Sequence, residues 1–216
     1  MVAPMRAAVI ALGAVAAFAS ACGGRPPPPK RLVIESNVAS WTFRRYQRLV
    51  DVEVWVPDNR AVGHTASYAA AAAVKRGRLA DDDVVHAFVT RYAKPDGVLR
   101  ATVAFARRLA QEAGYQVEER TIEGVRLYAV AGQGEAWVLW CSGRYIVKLG
   151  GRGRSSVPGA LVEAYGERYP SSLPAGALEG PLPEGPSLQP PDASEPYDPN
   201  NPRPDWDHDK RRRGDR

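Results

Sequence analysis

Between Tyr115 and Leu149 the chain sets down four strand-like runs with almost nothing between them. The runs are Tyr115–Ile122, Val125–Ala131, Glu135–Cys141 and Arg144–Leu149. Their separators are Glu123-Gly124, Gly132-Gln133-Gly134 and Ser142-Gly143. Each supplies the residue tolerant of positive φ that a tight hairpin needs. The reading is a meander of four antiparallel strands, and any fold for this chain has to be built around it.

The segments before the meander alternate between strand and helix signals. Leu32-Val33-Ile34 is a short apolar run that reads as a first strand. Leu49–Val56 (LVDVEVWV) alternates strictly, with Val50, Val52, Val54 and Val56 on one side and Asp51, Glu53 and Trp55 on the other, the pattern of a half-buried strand. The preceding SWTFRRYQR reads as extended. His64–Arg76 is alanine-rich and closed by Gly77, which predicts a helix. Asp81-Asp82-Asp83 reads as a solvated turn, and Val84–Tyr92 as a strand.

Asp96 is positioned to cap a second helix, with Val98, Thr102, Phe105 and Leu109 at helical spacing and Gly114 beyond its end. After the meander, Pro158 suits the first turn of a third helix carrying Leu161, Val162, Tyr165 and Tyr169, which Pro170 stops. Early helices and a late meander predict an α+β fold, a two-layer sandwich whose antiparallel sheet has one face covered by about three helices.

The two ends of the chain differ in character from this middle. Arg6 precedes a twelve-residue apolar run, Ala7–Phe18, which is too short for a transmembrane helix and right for a signal peptide. The small residues Ala19-Ser20-Ala21 then meet Cys22. The segment AFASAC resembles the lipobox of bacterial lipoproteins, with Ala19 where that family usually has Leu. The resemblance implies a leader over residues 1–21, cleavage before Cys22, and acylation of Cys22 with two or three chains. That number of chains anchors stably where one would not. It further implies a cell-envelope location, at the outer membrane if the organism has two membranes, because Gly23 rather than Asp follows the cysteine.

Residues 22–31 contain Gly23-Gly24 and four consecutive prolines, Pro26–Pro29, a composition suited to a stiff tether. Residues 32–173 are then long enough for one domain with its own core. From Pro170 on, eleven of 47 residues are proline and the apolar ones are sparse, so 174–216 reads as a disordered tail.

From Cys22 to Tyr169 there are 22 Lys and Arg against 15 Asp and Glu. Such a basic domain suits anionic lipid headgroups, a polyanionic glycan or an acidic partner, and an exported lipoprotein argues against nucleic acid. With Cys22 acylated, only Cys141 remains, which excludes an intramolecular disulfide.

Site-like patterns are few. The loop Leu149–Gly159 brings Gly151, Arg152, Gly153 and Arg154 between a strand and a helix N-terminus, a combination able to hold an anion, although it lacks the P-loop and dinucleotide spacings. Trp137 and Trp140 fall on opposite faces of one strand, so one is expected in the core and the other is available for an aromatic platform near Tyr128 or Tyr145. Cys141 reads as a small buried hydrophobe.

His64, His86 and His208 form no metal-spaced pair, and no nucleophile or metalloprotease motif is present. Asp205, Asp207 and Asp209 begin like a calcium loop, but Lys210 and Arg216 stand where Gly and Glu are needed. Arg213-Gly214-Asp215 is a chance tripeptide in this setting. The expectation is a lipid-anchored, non-catalytic protein-binding or scaffold module with an envelope protein partner and neither metal nor cofactor. The alternative is a module binding a small anion or cell-wall glycan through Gly151–Arg154. An enzyme comes third.

Overall fold

A computed structural model describes residues 31–49 and 52–188. The leader, most of the tether, and residues 189–216 lie outside the described residues, and with them Cys22 and His208. Seven strands form one antiparallel sheet in the order β1-β2-β3-β7-β6-β5-β4. These are β1 (Trp41–Leu49), β2 (Ala61–Ala70), β3 (Val84–Tyr92), β4 (Tyr115–Ile122), β5 (Val125–Gly132), β6 (Glu135–Ser142) and β7 (Tyr145–Arg152). The helices are α1 (Ala71–Arg76), α2 (Val98–Gln111) and α3 (Gly159–Arg168). The α+β class, the antiparallel sheet, the meander and the three helices are as the sequence predicts.

The meander β4-β5-β6-β7 supplies four of the seven strands, its hairpins closed by residues with positive φ: Glu123, Gly124, Gln133, Gly134 and Gly143. Strand β7 then pairs with β3 and joins the meander to β1-β2-β3. Pairing puts Trp137 opposite Gly150. A Cβ at position 150 would collide with the Trp137 Cβ and the Ala136 carbonyl, so the close approach of β6 and β7 requires glycine there.

Helix α2 packs on the face that carries Trp137 and Cys141, with Phe105 6.2 Å from the Trp137 ring. Helix α3 packs on the opposite face, where Tyr165 meets Tyr68 and the Tyr169 carbonyl accepts the Trp140 indole N–H at 2.8 Å. Each face of the sheet therefore carries one long helix, rather than both lying on one side. Burial of Val98, Thr102, Phe105 and Leu109 on α2, and of Leu161, Val162, Tyr165 and Tyr169 at α3, follows the predicted helical spacing.

Four local expectations are corrected. Residues 61–70 are strand, and only Ala71–Arg76 is helical. Alanine favours helix over other conformations by only tenths of a kcal/mol per residue, and β2 gains ladders to both β1 and β3. The alternation at 49–56 is not a strand: β1 ends at Leu49, Val50 and Asp51 lie outside the described residues, and 52–60 is irregular. Its in-and-out pattern is real nonetheless, since Val54 and Val56 are buried while Trp55 is 51 % exposed.

Leu32–Ile34 is irregular and not a strand, its backbone bonded by side chains. The residue capping α2 is Gly97, in a left-handed conformation with no side-chain cap, and not Asp96.

Residues 174–188, assigned by composition to the tail, pack against the domain. The Arg107 guanidinium donates to the Ala177 and Gly180 carbonyls, and Arg100 donates to the Pro183 carbonyl at 2.8 Å. The Glu119 carboxylate accepts from the Gly176 and Leu178 amides at 2.8 and 2.6 Å. Proline-rich chain lacks its own ladder, and these side chains replace it.

Candidate functional site

The described chain begins with a strap. Residues 31–35 lie between β2 and α3, with Leu32 and Val33 each 2 % exposed. A segment without a ladder must find partners for its buried backbone groups elsewhere, and four aromatic side chains and one arginine provide them. The Leu32 N–H donates to His64 Nδ1 at 3.2 Å, and the Tyr169 hydroxyl donates to the Leu32 carbonyl at 2.6 Å. Arg168 donates to the Val33 and Arg31 carbonyls at 3.2 and 3.1 Å. At Ile34 the amide donates to the Tyr165 hydroxyl at 3.1 Å and the carbonyl accepts from Tyr68 at 2.5 Å.

Around the start of the strap the surface is basic. Arg31 sits 4.7 Å over the Tyr46 ring and pairs with Glu35. Arg48 is the register partner of His64, and Arg91 of both Val62 and Tyr145, so strand alternation puts Arg48, His64 and Arg91 on one face. Arg144 lies beside Tyr145, its guanidinium 5.9 Å from that ring, and Arg168 ends α3.

The His64 imidazole registers this field. Burial lowers its pKa most, and Arg48, Arg91 and Arg31 lower it further against the opposing charge of Glu35. Among the described residues Arg48, Arg91 and Arg144 take part in no ion pair.

The opposite end of the sheet holds the loop Gly151–Arg154. Gly151 and Arg152 are the last residues of β7, and Gly153 turns the chain with φ +67° while its amide bonds the Gly134 carbonyl at 2.8 Å. Arg154 faces inward. Its guanidinium donates to the Asp82 and Ser156 carbonyls and lies 5.1 Å from the Trp41 ring. Asp82 and Asp83 stand close enough to act on its charge. The loop brings the four residues together, but Arg154 has its donors on protein carbonyls beside carboxylates, which is poor ground for an anion.

Trp137 and Trp140 are both buried, at 4 % and 0 % exposure, because a helix covers each face; neither offers a platform, nor does buried Tyr128. Among the described residues the exposed tryptophan is Trp55. Cys141 is fully buried, as expected, with burial pushing its thiol pKa up and Ser172 Oγ 3.5 Å away. His86 lies mid-strand, its Nδ1 2.9 Å from Ser67 Oγ, with its pKa lowered by burial.

An open groove of about 550 Å³ between the β4–β5 turn and α3 is lined by Glu123, Glu163 and Glu167 together with Arg126. The domain is thus acidic in the groove that Glu163 and Glu167 of α3 share with Glu123, and basic where the strap begins.

Sequence reasoning found the basic excess but not its place. Arg31, Arg48, Arg91, Arg144 and Arg168 come from five separate elements, and no spacing in the chain announces that they meet. No family model, no curated protein and no solved structure matches this chain. The class established by fold alone is an α+β domain on a seven-stranded antiparallel sheet.

Proposed function

We propose that this protein is a lipid-anchored, non-catalytic lipoprotein of the bacterial envelope, whose domain binds or positions another envelope protein. One observation carries the reading: the residues directly after the tether form the strap, fixed by His64, Tyr68, Tyr165, Arg168 and Tyr169. A tether joined to a fraying end would leave the domain loosely placed. A tether joined to a clamped strap fixes the domain's orientation relative to acylated Cys22, which is what a positioning module needs.

Trp55 supplies a contact of the kind protein partners use. It is 51 % exposed, while Val54 and Val56 on either side are buried and hold its backbone. Presentation of a large aromatic side chain from a fixed backbone costs little ordering entropy on binding, and such residues are enriched among the strongest interface contacts.

The test is affinity purification of the tagged full-length protein from detergent-solubilised membranes, beside Cys22→Ser and Trp55→Ala. A partner retained near stoichiometry by the native chain and lost with Trp55→Ala supports the reading. A native protein that purifies alone refutes it.

A further inference from the structure

We infer that the basic end of the sheet is a docking surface for anionic lipid headgroups, which holds the domain down on the membrane that anchors it. The inference rests on the anchored reading above and deepens it.

Cys22 lies nine residues before Arg31. Nine residues span at most about 32 Å fully extended, and less in any other conformation. The part of the domain around Arg31 is therefore the part that an acylated Cys22 keeps nearest the bilayer. Arg31, Arg48, Arg91, Arg144 and Arg168 surround that part. A basic residue close to an anionic leaflet gains about 1 kcal/mol, and the attraction decays over about 8 Å at physiological salt. Positive charge elsewhere on the domain would contribute little at that range.

Charge pairing also differs between the two ends of the sheet. At the far end of the sheet part of the charge is neutralised locally, since Arg76 pairs with Asp83 at 3.2 Å and Arg154 lies beside Asp82 and Asp83, although Arg152 there takes part in no ion pair among the described residues. Near the strap, Arg31 alone has an ion-pair partner among the described residues, Glu35. Arg144 and Arg168 lie against the Tyr145 and Tyr169 rings, and Arg168 also donates to strap carbonyls, while Arg48 and Arg91 take part in no ion pair among the described residues. Arginine also suits the task, since its planar fork matches two phosphate oxygens at once.

The experiment uses the full-length chain with Cys22→Ser, so that acylation plays no part. Partition is measured onto vesicles of phosphatidylcholine alone and onto vesicles containing roughly 30 % phosphatidylglycerol, at low and at about 1 M salt. The leader adds the same apolar contribution to both, and the charges of Arg6 and the terminal amine are common to every variant, so the comparison between variants isolates the arginines of the domain. Expected is a preference of tenfold or more, about fivefold for each engaged arginine, for the anionic vesicles, lost in high salt. Arg48→Glu with Arg144→Glu, both exposed, should cut the preference about tenfold or more at unchanged Tm, whereas Arg120→Glu with Arg152→Glu should keep it.

Equal partition onto both vesicles, or equal loss with either pair of substitutions, overturns the inference. Acylation of Cys22 in the native chain is read separately by mass spectrometry, so a failure of docking is distinct from a failure of anchoring.

Discussion

Tyr68 on the sheet and Tyr165 on α3 meet hydroxyl to hydroxyl at 2.8 Å, and both reach Ile34. The direction of each bond follows. Tyr68 donates to the Ile34 carbonyl, and so accepts from Tyr165, whose oxygen accepts the Ile34 amide. Three hydrogen bonds close a ring joining sheet, helix and strap.

Tyr165→Phe should expose the value of that ring. It leaves the Ile34 amide and the Tyr68 oxygen short of partners in a site where Tyr165 is fully buried. An unsatisfied buried group costs about 1–3 kcal/mol. Urea unfolding should show a loss of that size. Combined with Tyr68→Phe the losses should be less than additive, because either change breaks the same ring.

Stability should also depend on pH at both extremes. His64 titrates below the usual 6.5 when folded, for the reasons of burial and neighbouring arginines given above, and its Nδ1 must stay unprotonated to accept the Leu32 amide. The unfolded chain therefore takes up the proton first as pH falls. The stabilisation is complete above about pH 6.5 and is lost as pH drops below it. His86 acts in the same direction through burial.

At the alkaline end, burial pushes Tyr68 and Tyr169 up from 10.0 to about 12. The unfolded chain loses those protons first, so stability falls as pH rises past 10. His64→Gln should make the acid limb of a Tm–pH profile shallower, with the remainder due to His86, and leave the alkaline limb in place.

Gly166 sets how closely α3 approaches the sheet. A Cβ there would run into a Val125 methyl, so Gly166→Ala should destabilise by about 1–3 kcal/mol through overpacking. Val125→Ala should restore part of that loss in the double variant, which chemical denaturation of the four proteins of the cycle would measure.

Cys141 should resist a maleimide in the native protein and react once urea opens the core, since burial hides the thiol and raises its pKa. The unfolded chain should yield one thiol under the proposed acylation, which would convert the Cys22 sulfur to a thioether.

How far the sequence went depended on whether a signal was local. The β4–β7 hairpins were readable because their turns need glycine or another residue that accepts positive φ, and such residues stand at those positions. Strand β2 was not, because Ala66 and Ala69 look helical by propensity. Its strand state comes from pairing with β1 and β3, and Ala66 and Ala87 are register partners buried on the face that α3 covers. Likewise the alternation of Val54, Trp55 and Val56 announced burial, yet no neighbouring strand was there to make it a ladder. The strap was invisible because its partners, His64, Tyr68, Tyr165, Arg168 and Tyr169, lie 32 to 137 residues away. The arginines around it were lost for the same reason.

Everything said of the membrane turns on one atom, the sulfur of Cys22. Mass spectrometry of the N-terminal peptide from membrane-purified native protein addresses it directly. The account predicts a peptide that begins at Cys22 and carries a diacylglyceryl group, with or without a third acyl chain on its amine. An unmodified peptide beginning at Cys22, or a chain that still contains residues 1–21, would contradict the anchor and the docking orientation that depends on it.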